Sequence, residues 1–451
     1  MNVHEAIRPV PNSAMVWGTV TGSDGSSVHV AGLARLARLG DRIEISGDHG
    51  ALPGEVIALD GEHVVVLLMV QPRGLATGQK AWLKGQIQAT PSQHWLGRVV
   101  DAFGQPTDGT RLPPAPRQEN TLMKATERRA LGPRMDTGLA AFDTFLPLCR
   151  GQRLGVFAGS GVGKSRLMSD LALGVAADVV VVGLIGERTR EVGDFVRLLE
   201  NAEGMGRTVV VTATSDESAL VKRRAAQLAM ETAEFFRDQG KQVLCLFDSV
   251  TRYAEAHREV ALAAGEPPAL RAFPPSTVQA ISALCERAGP GGAGMKGDIT
   301  AIFTVLVAGS DMDEPVADMV RGVLDGHVVL DRAIAERGRF PAIDVRRSVS
   351  RSAPEAWTGE GEEALVSHAR RLVAADEEAA PMIQAGLYAP GADPVLDEAV
   401  LRWEALDSFT GQVARGRTAE DSFKDLAQAL GIEPEEPAEE PTGAQPPARV
   451  R

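Results

Sequence analysis

Cysteine is scarce in this chain. The three residues among 451, Cys149, Cys245 and Cys285, are odd in number, far apart and without Cys-x-x-Cys spacing. That argues against a disulfide framework and a zinc site and leaves reduced, packed thiols as the expectation. Long apolar runs are missing too, none approaching the ~18 residues of a membrane span. Residues 1–17 lack a basic patch followed by an apolar core, so no secretory signal is read and a cytoplasmic protein is expected. Positive charge is in deficit, with 47 Lys and Arg against 60 Asp and Glu and a formal net charge of −13. This disfavours a protein whose main task is gripping a nucleic-acid backbone. Aromatics make up only 4% of the chain. The N-terminal region has Trp17 and Trp82 but no interleaved aromatic and basic stripe, which argues against a single-strand platform and an RNA translocase. No nucleic-acid partner is expected.

What is present is ordinary for a globular protein, 44% hydrophobic and 24% charged, and too long for one core, so two or three domains are expected. Across residues 17–83 short apolar runs recur about every ten residues between Gly-Asp and Asp-Gly turns, the pattern of a small antiparallel barrel. We place a β-barrel domain at 1–90. A proline-rich stretch at 97–118, "GRVVDAFGQPTDGTRLPPAPRQ", reads as a connector laid over the next domain. From about 150 to 345, Val- and Ile-rich runs without polar alternation exchange with helical patterns, as in a parallel sheet buried on both faces. The α/β core is placed at 91–360. Ala, Glu, Leu and Arg dominate 361–431, a helical domain. Residues 432–451 are acidic and proline-rich, the composition of a disordered tail.

"AGSGVGKS", residues 158–165, follows the apolar run "RLGVF" and opens a helical pattern, the context a phosphate-binding loop requires. Gly159, Gly161 and Gly163 let backbone N–H groups, including those of Ser160 and Val162, approach a polyphosphate. Lys164 suits the β and γ phosphates and Ser165 suits magnesium. The candidate nucleotide set is therefore Ala158, Gly159, Ser160, Gly161, Val162, Gly163, Lys164, Ser165 and the adjoining Arg166. A second apolar strand, "QVLCLFD", ends in Asp248, either a magnesium-holding acid or a cap for the next helix. Between them "VVVVGLIGERTRE" carries Glu187 at a strand end. It is either a carboxylate that polarises an attacking water, with Arg188 and Glu191 in the same shell, or part of a solvated charge cluster.

These stretches, together with "GRVVDAFGQPTDG", "DSVTRYAEAHREVALAAGEPP" and "RFPAIDVRRSVSR", resemble in order the RecA-type ring ATPases of the rotary ATP synthase and type III export superfamily. Within that superfamily they resemble the flagellum-specific export branch. The resemblance implies an α/β fold: a RecA-like P-loop core with a parallel sheet, an N-terminal small β-barrel and a C-terminal helical domain. It implies Glu187 as catalytic glutamate with Arg188 beside it, Asp248, Ser165 and Glu191 around Mg2+, and Phe340 stacked on the adenine of ATP. Arg351 matches the arginine that reaches into a neighbour's site, which makes the working unit a ring. Asp325 and His327, in "LDGHVVL", are read as turn and sheet-end structure. Ala158 stands for the usual glycine, Arg166 for a small residue and Gly193 for an arginine.

The function implied is Mg-ATP hydrolysis by a homohexamer in flagellar protein export, driving unfolding and chaperone release of cargo. The implied partners are regulatory and stalk proteins, export-gate membrane proteins and cargo–chaperone complexes, with peripheral contact at the cytoplasmic face of the inner membrane. The N-terminus leaves little of the extra amphipathic segment some members use for membrane docking, so docking through that segment is not expected. An injectisome secretion ATPase and a rotary synthase subunit are the alternatives. A non-catalytic ring subunit would lack the acid at Glu187.

Overall fold

A computed structural model describes residues 16–48, 50–86, 89–113, 124–269, 272–307 and 312–432. The expected tail, from 433 on, and residues 114–118 of the expected connector lie outside them.

The N-terminal strands Trp17–Asp24, Ser27–Ala31, Asp41–Gly47, Gly50–Asp60, His63–Leu68 and Lys80–Gln86 close into a barrel in the order first, second, fifth, fourth, third, sixth. Alternation explains this closure: Val28, Val30, Ile43, Ile45, Val64 and Val66 all point inward and are fully buried, while their neighbours face outward. Gly25 and Gly61 turn the hairpins with positive φ, a conformation that costs glycine nothing. Closure leaves no edge to pair with another chain.

The central sheet runs Ile343–Ser350, Gly326–Leu330, Arg153–Ala158, Asp298–Leu306, Gln242–Asp248, Val179–Glu187, Thr208–Thr214, Arg98–Val100. All neighbours on this path are parallel except the first pair. Val179–Glu187 is buried at every position except Glu187, as expected of a strand covered on both faces. On one face lie helices Lys164–Gly174 and Thr189–Asn201. On the other lie Ala219–Asp238, Val250–Ala263, Ser276–Cys285 and Pro315–Val323.

The expected connector differs from its reading. Arg98–Val100 is a parallel edge strand, Val99 level with Val210. Three residues are too few for periodicity to mark a strand, and the surrounding turn residues hid it. Asp325 accepts from the Arg153 backbone N–H at 2.9 Å and from its guanidinium. His327 sits on a strand, its Nε2 3.0 Å from the Arg347 carbonyl and its ring edge-on to Phe157. Burial holds its pKa below the ordinary histidine value. All three cysteines are free and buried, and burial pushes Cys245 and Cys285 up to about 12.

Three helices, Glu362–Gln384, Pro394–Thr410 and Ala419–Ala429, follow. Asp393 caps the second and Thr418 with Asp421 forms a capping box on the third, so polar side chains satisfy the orphan N–H groups of these two. Their apolar residues, among them Val366, Leu372, Phe409 and Leu426, join the sheet's core. No described helix is long and apolar enough to cross a membrane.

Arg134 ties this region to the short strand pair Arg134–Met135 and Leu148–Cys149, just ahead of the sheet strand Arg153–Ala158. It donates twice to Glu362, at 2.9 and 3.1 Å, with both side chains largely buried, and lies 5.4 Å from the Phe423 ring centroid. Arg134→Met leaves a buried carboxylate unpaired and is expected to cost about 3 kcal/mol in urea unfolding followed by circular dichroism. Arg98→Met, which breaks the more exposed pair with Asp108, is expected to change stability by less than about 1 kcal/mol.

Candidate functional site

The parallel register brings three strand ends to one edge of the sheet: Ala158, Glu187 and Asp248. A crevice outside the carboxyl ends of parallel strands is where such folds bind ligands. Residues 159–163 form the loop after the first strand, and Lys164 opens the helix Lys164–Gly174. Gly161 and Gly163 have φ of +78° and +89°, so the loop needs glycine there. Val162 is buried beneath it, whereas Ser160, Ser165 and Arg166 are exposed.

Lys164 is the centre of the site. Its Nζ donates to Glu187 Oε1 at 3.1 Å and to Asp248 Oδ1. Asp248 is 4% exposed and its Oδ1 also accepts from Thr304 Oγ1 at 2.6 Å. Burial pulls the Lys164 ammonium down, but Asp248 and Glu187 outweigh that and hold its pKa above the usual lysine value. Burial pushes Asp248 up despite the pull of Lys164, placing it above the usual carboxylate value. One cation thus holds two carboxylates that water scarcely reaches, so displacing Lys164 leaves them in need of another positive partner.

Glu187 is aimed by a bulge: the pairing with Thr208–Thr214 shifts between Ile185 and Glu187, and Gly186 takes φ +74°. A bulge re-aims the side chain at a strand end. A Cβ at Gly186 would lie 2.9 Å from Arg252 Cβ, a second reason for glycine. Arg188 and Glu191 sit at the rim, paired with each other at 3.5 Å, with Arg188 82% exposed. Among the described residues no group of three or more His, Cys, Asp and Glu side chains converges on a metal position.

Phe340 edges the loop: a Cβ at Gly163 would come within 2.8 Å of its ring. Arg351 lies elsewhere. Exposed, it follows the strand antiparallel to Gly326–Leu330, and its N–H donates to the Asp325 carbonyl, whose side chain binds the Arg153 N–H. That places it level with the first residue of the strand Arg153–Ala158, while the loop follows the last. Five residue steps of strand, about 17 Å, separate the two levels.

Sequence reasoning did not single out Thr304, Arg252 or Thr251. Arg252 and Thr251 line the cleft with Glu255; their position a few residues after Asp248, at a helix start, was the available signal. Thr304 becomes visible only through strand register. The cleft at this edge has a volume of about 1320 Å³, ample for a nucleoside triphosphate. A smaller cavity of about 510 Å³ between barrel and helices, beside the Glu55–Arg223 ion pair, has no phosphate loop.

Residues 138–350 match the model of the ATP synthase alpha/beta family, nucleotide-binding domain. Residues 358–430 match that of the type III secretion EscN ATPase C-terminal domain. The flagellum-specific ATP synthase of Caulobacter vibrioides is 44% identical over 433 residues, covering 93% of this chain and 96% of that one. The chain belongs to the flagellum-specific and type III secretion ATPase family. The assembled ATPase EscN of the enteropathogenic E. coli type III secretion system superposes with a TM-score of 0.83 at 36% identity, covering 92% of this chain and all of EscN. EscN in complex with its central stalk EscO gives 0.81 at 35% identity, covering 92% of this chain and 100% of that one. The family and the loop agree on a P-loop ATPase with a nucleotide substrate.

Gly163→Ala places a side chain in a left-handed conformation and against Phe340. A strain of about 1–3 kcal/mol should weaken ATP affinity by roughly tenfold while leaving the circular dichroism spectrum unchanged. Titration with a fluorescent ATP analogue checks this, and wild-type affinity would refute it.

Proposed function

We propose that this chain is a ring ATPase of flagellar protein export that hydrolyses ATP at sites shared between neighbouring copies. The observation that carries the shared site is the position of Arg351. At the opposite edge of the sheet from Lys164 and Glu187, it is out of reach of its own chain's phosphates, and an exposed guanidinium there suits a neighbour's site. Interfaces that use two different faces generate rings when the rotation closes, and the assembled EscN relatives favour such an arrangement for this chain. A homohexamer is the reading we adopt.

Within one site the loop amides and Lys164 bind the triphosphate, Lys164 leaving its carboxylates to do so. Glu187, freed of the ammonium, orients water for in-line attack on the γ phosphate and accepts its proton. Arg351 of the adjacent copy neutralises the charge that develops on the phosphoryl oxygens. Phe340 offers an aromatic edge to the base. The exposed Ser165 hydroxyl and the buried Asp248 carboxylate are hard oxygen donors suited to magnesium, which normally keeps waters and phosphate oxygens as its other ligands. Held by these two residues, Mg2+ would supply positive charge that neutralises the phosphate oxygens. Glu191, engaged with Arg188 at the rim, is the weakest member of that set, and the exposed Arg188 would have to leave Glu191 to meet the nucleotide.

The energy drives unfolding and chaperone release of export cargo, by a cytoplasmic protein that meets the export gate at the inner membrane. The EscN–EscO complex supports a stalk protein as a further partner. The flagellar assignment follows the names of the curated relatives over the injectisome alternative. Loss of filaments and swimming in a deletion strain is the expected outcome, and normal motility would contradict it.

Glu187→Gln is expected to bind ATP with near wild-type affinity and to hydrolyse it about 10²–10⁴-fold more slowly. For the unaltered chain, phosphate release per chain should rise with protein concentration. A rate independent of concentration down to the monomer would sink the shared-site reading.

A further inference from the structure

Asp298–Leu306 runs parallel beside Gln242–Asp248, with Phe303 level with Phe247. One step further, Thr304 and Asp248 stand side by side on the same face of the sheet. Their strand positions are dry: Thr304 is 0% exposed and every residue from Asp298 to Val305 is buried. A hydroxyl in such a place is unfavourable unless hydrogen-bonded, and a valine would fill the same space without that cost. The Thr304 hydroxyl is bonded to one group, donating to Asp248 Oδ1 at 2.6 Å.

Asp248 Oδ1 therefore has two donors, Thr304 and Lys164, and they differ in permanence. Lys164 ends a flexible stem and is shared with Glu187. Thr304 is fixed in the sheet, and its strand is pinned to the helix that follows Asp248, because the Leu306 N–H donates to Thr251 Oγ1 at 2.9 Å. β-Branching leaves the Thr304 side chain few rotamers.

We propose that Thr304 is a positioning residue that holds the Asp248 carboxylate by Oδ1 when Lys164 exchanges its carboxylate partners for phosphates. Anchored through one oxygen, the carboxylate keeps a single orientation and presents Oδ2 to the magnesium shell. A carboxylate held by Lys164 alone would lose that orientation at the moment the nucleotide arrives. The proposal rests on the reading of Lys164 as phosphate ligand and Asp248 as magnesium ligand.

The test uses the full chain with Thr304→Val, Thr304→Ser and Asp248→Asn, and reads the affinity for a non-hydrolysable ATP analogue in EDTA and across a magnesium titration. Thr304→Val is expected to match wild type in EDTA and to need about tenfold more magnesium for the same gain in affinity. Its kcat should fall by a similar factor, and Thr304→Ser should restore both. Wild-type magnesium dependence in Thr304→Val overturns the proposal. So does an equal loss in EDTA and magnesium, which marks a general structural defect, and so does failure of Thr304→Ser to restore function, which assigns the effect to the methyl group. Wild-type magnesium dependence in Asp248→Asn overturns the underlying reading of Asp248 instead.

Discussion

One ammonium between two carboxylates organises this site. Lys164 reaches Glu187 and Asp248 from the start of its helix, and none of the three side chains is more than 13% exposed. Buried charges persist only when paired, so these strand ends and the loop must arrive together. The pairing leaves an excess of negative charge that the lysine alone does not balance. That excess suits an entering cation, and the loop amides suit the polyphosphate that comes with it.

The sheet converts that local arrangement into a division of labour between copies. Its strands place the phosphate loop at one edge and Arg351 at the other, with Gln152 at the foot of the loop strand donating to Ser350 Oγ at 2.9 Å. The remaining parts press on the same frame. Helix Val250–Ala263 begins next to Asp248, lines the cleft with Arg252 and Glu255, and packs Ala256 and Val260 in a cluster with Leu67 of the barrel. One helix therefore touches both the cleft and the barrel, and the Arg134–Glu362 pair gives the C-terminal helices a fixed point near the opposite edge.

What could be read from the sequence followed the range of the interactions. The barrel, the buried parallel strands and the phosphate loop were legible because alternation, Val-rich runs and a glycine spacing are local signals. Glu187 was ambiguous from its neighbours, since a bulge and a lysine 23 residues away decide where it points. The strand Arg98–Val100 was missed for being three residues long. Thr304 was invisible because its partner lies on another strand, and the contact of Phe340 with Gly163 depends on tertiary packing. Arg351 drew attention only through family resemblance; in the sequence it is one arginine among several in "DVRRSVSRS".

The most direct test of a shared site mixes two inactive variants, Lys164→Ala and Arg351→Ala, and follows single-turnover phosphate release so that stalled neighbours do not hide competent sites. In random rings roughly a quarter of the interfaces join an intact loop to an intact arginine. The mixture should therefore release phosphate at about a quarter of the wild-type amplitude while each variant alone releases almost none. A mixture no more active than its components, in rings shown to exchange subunits, would contradict the sharing of the site.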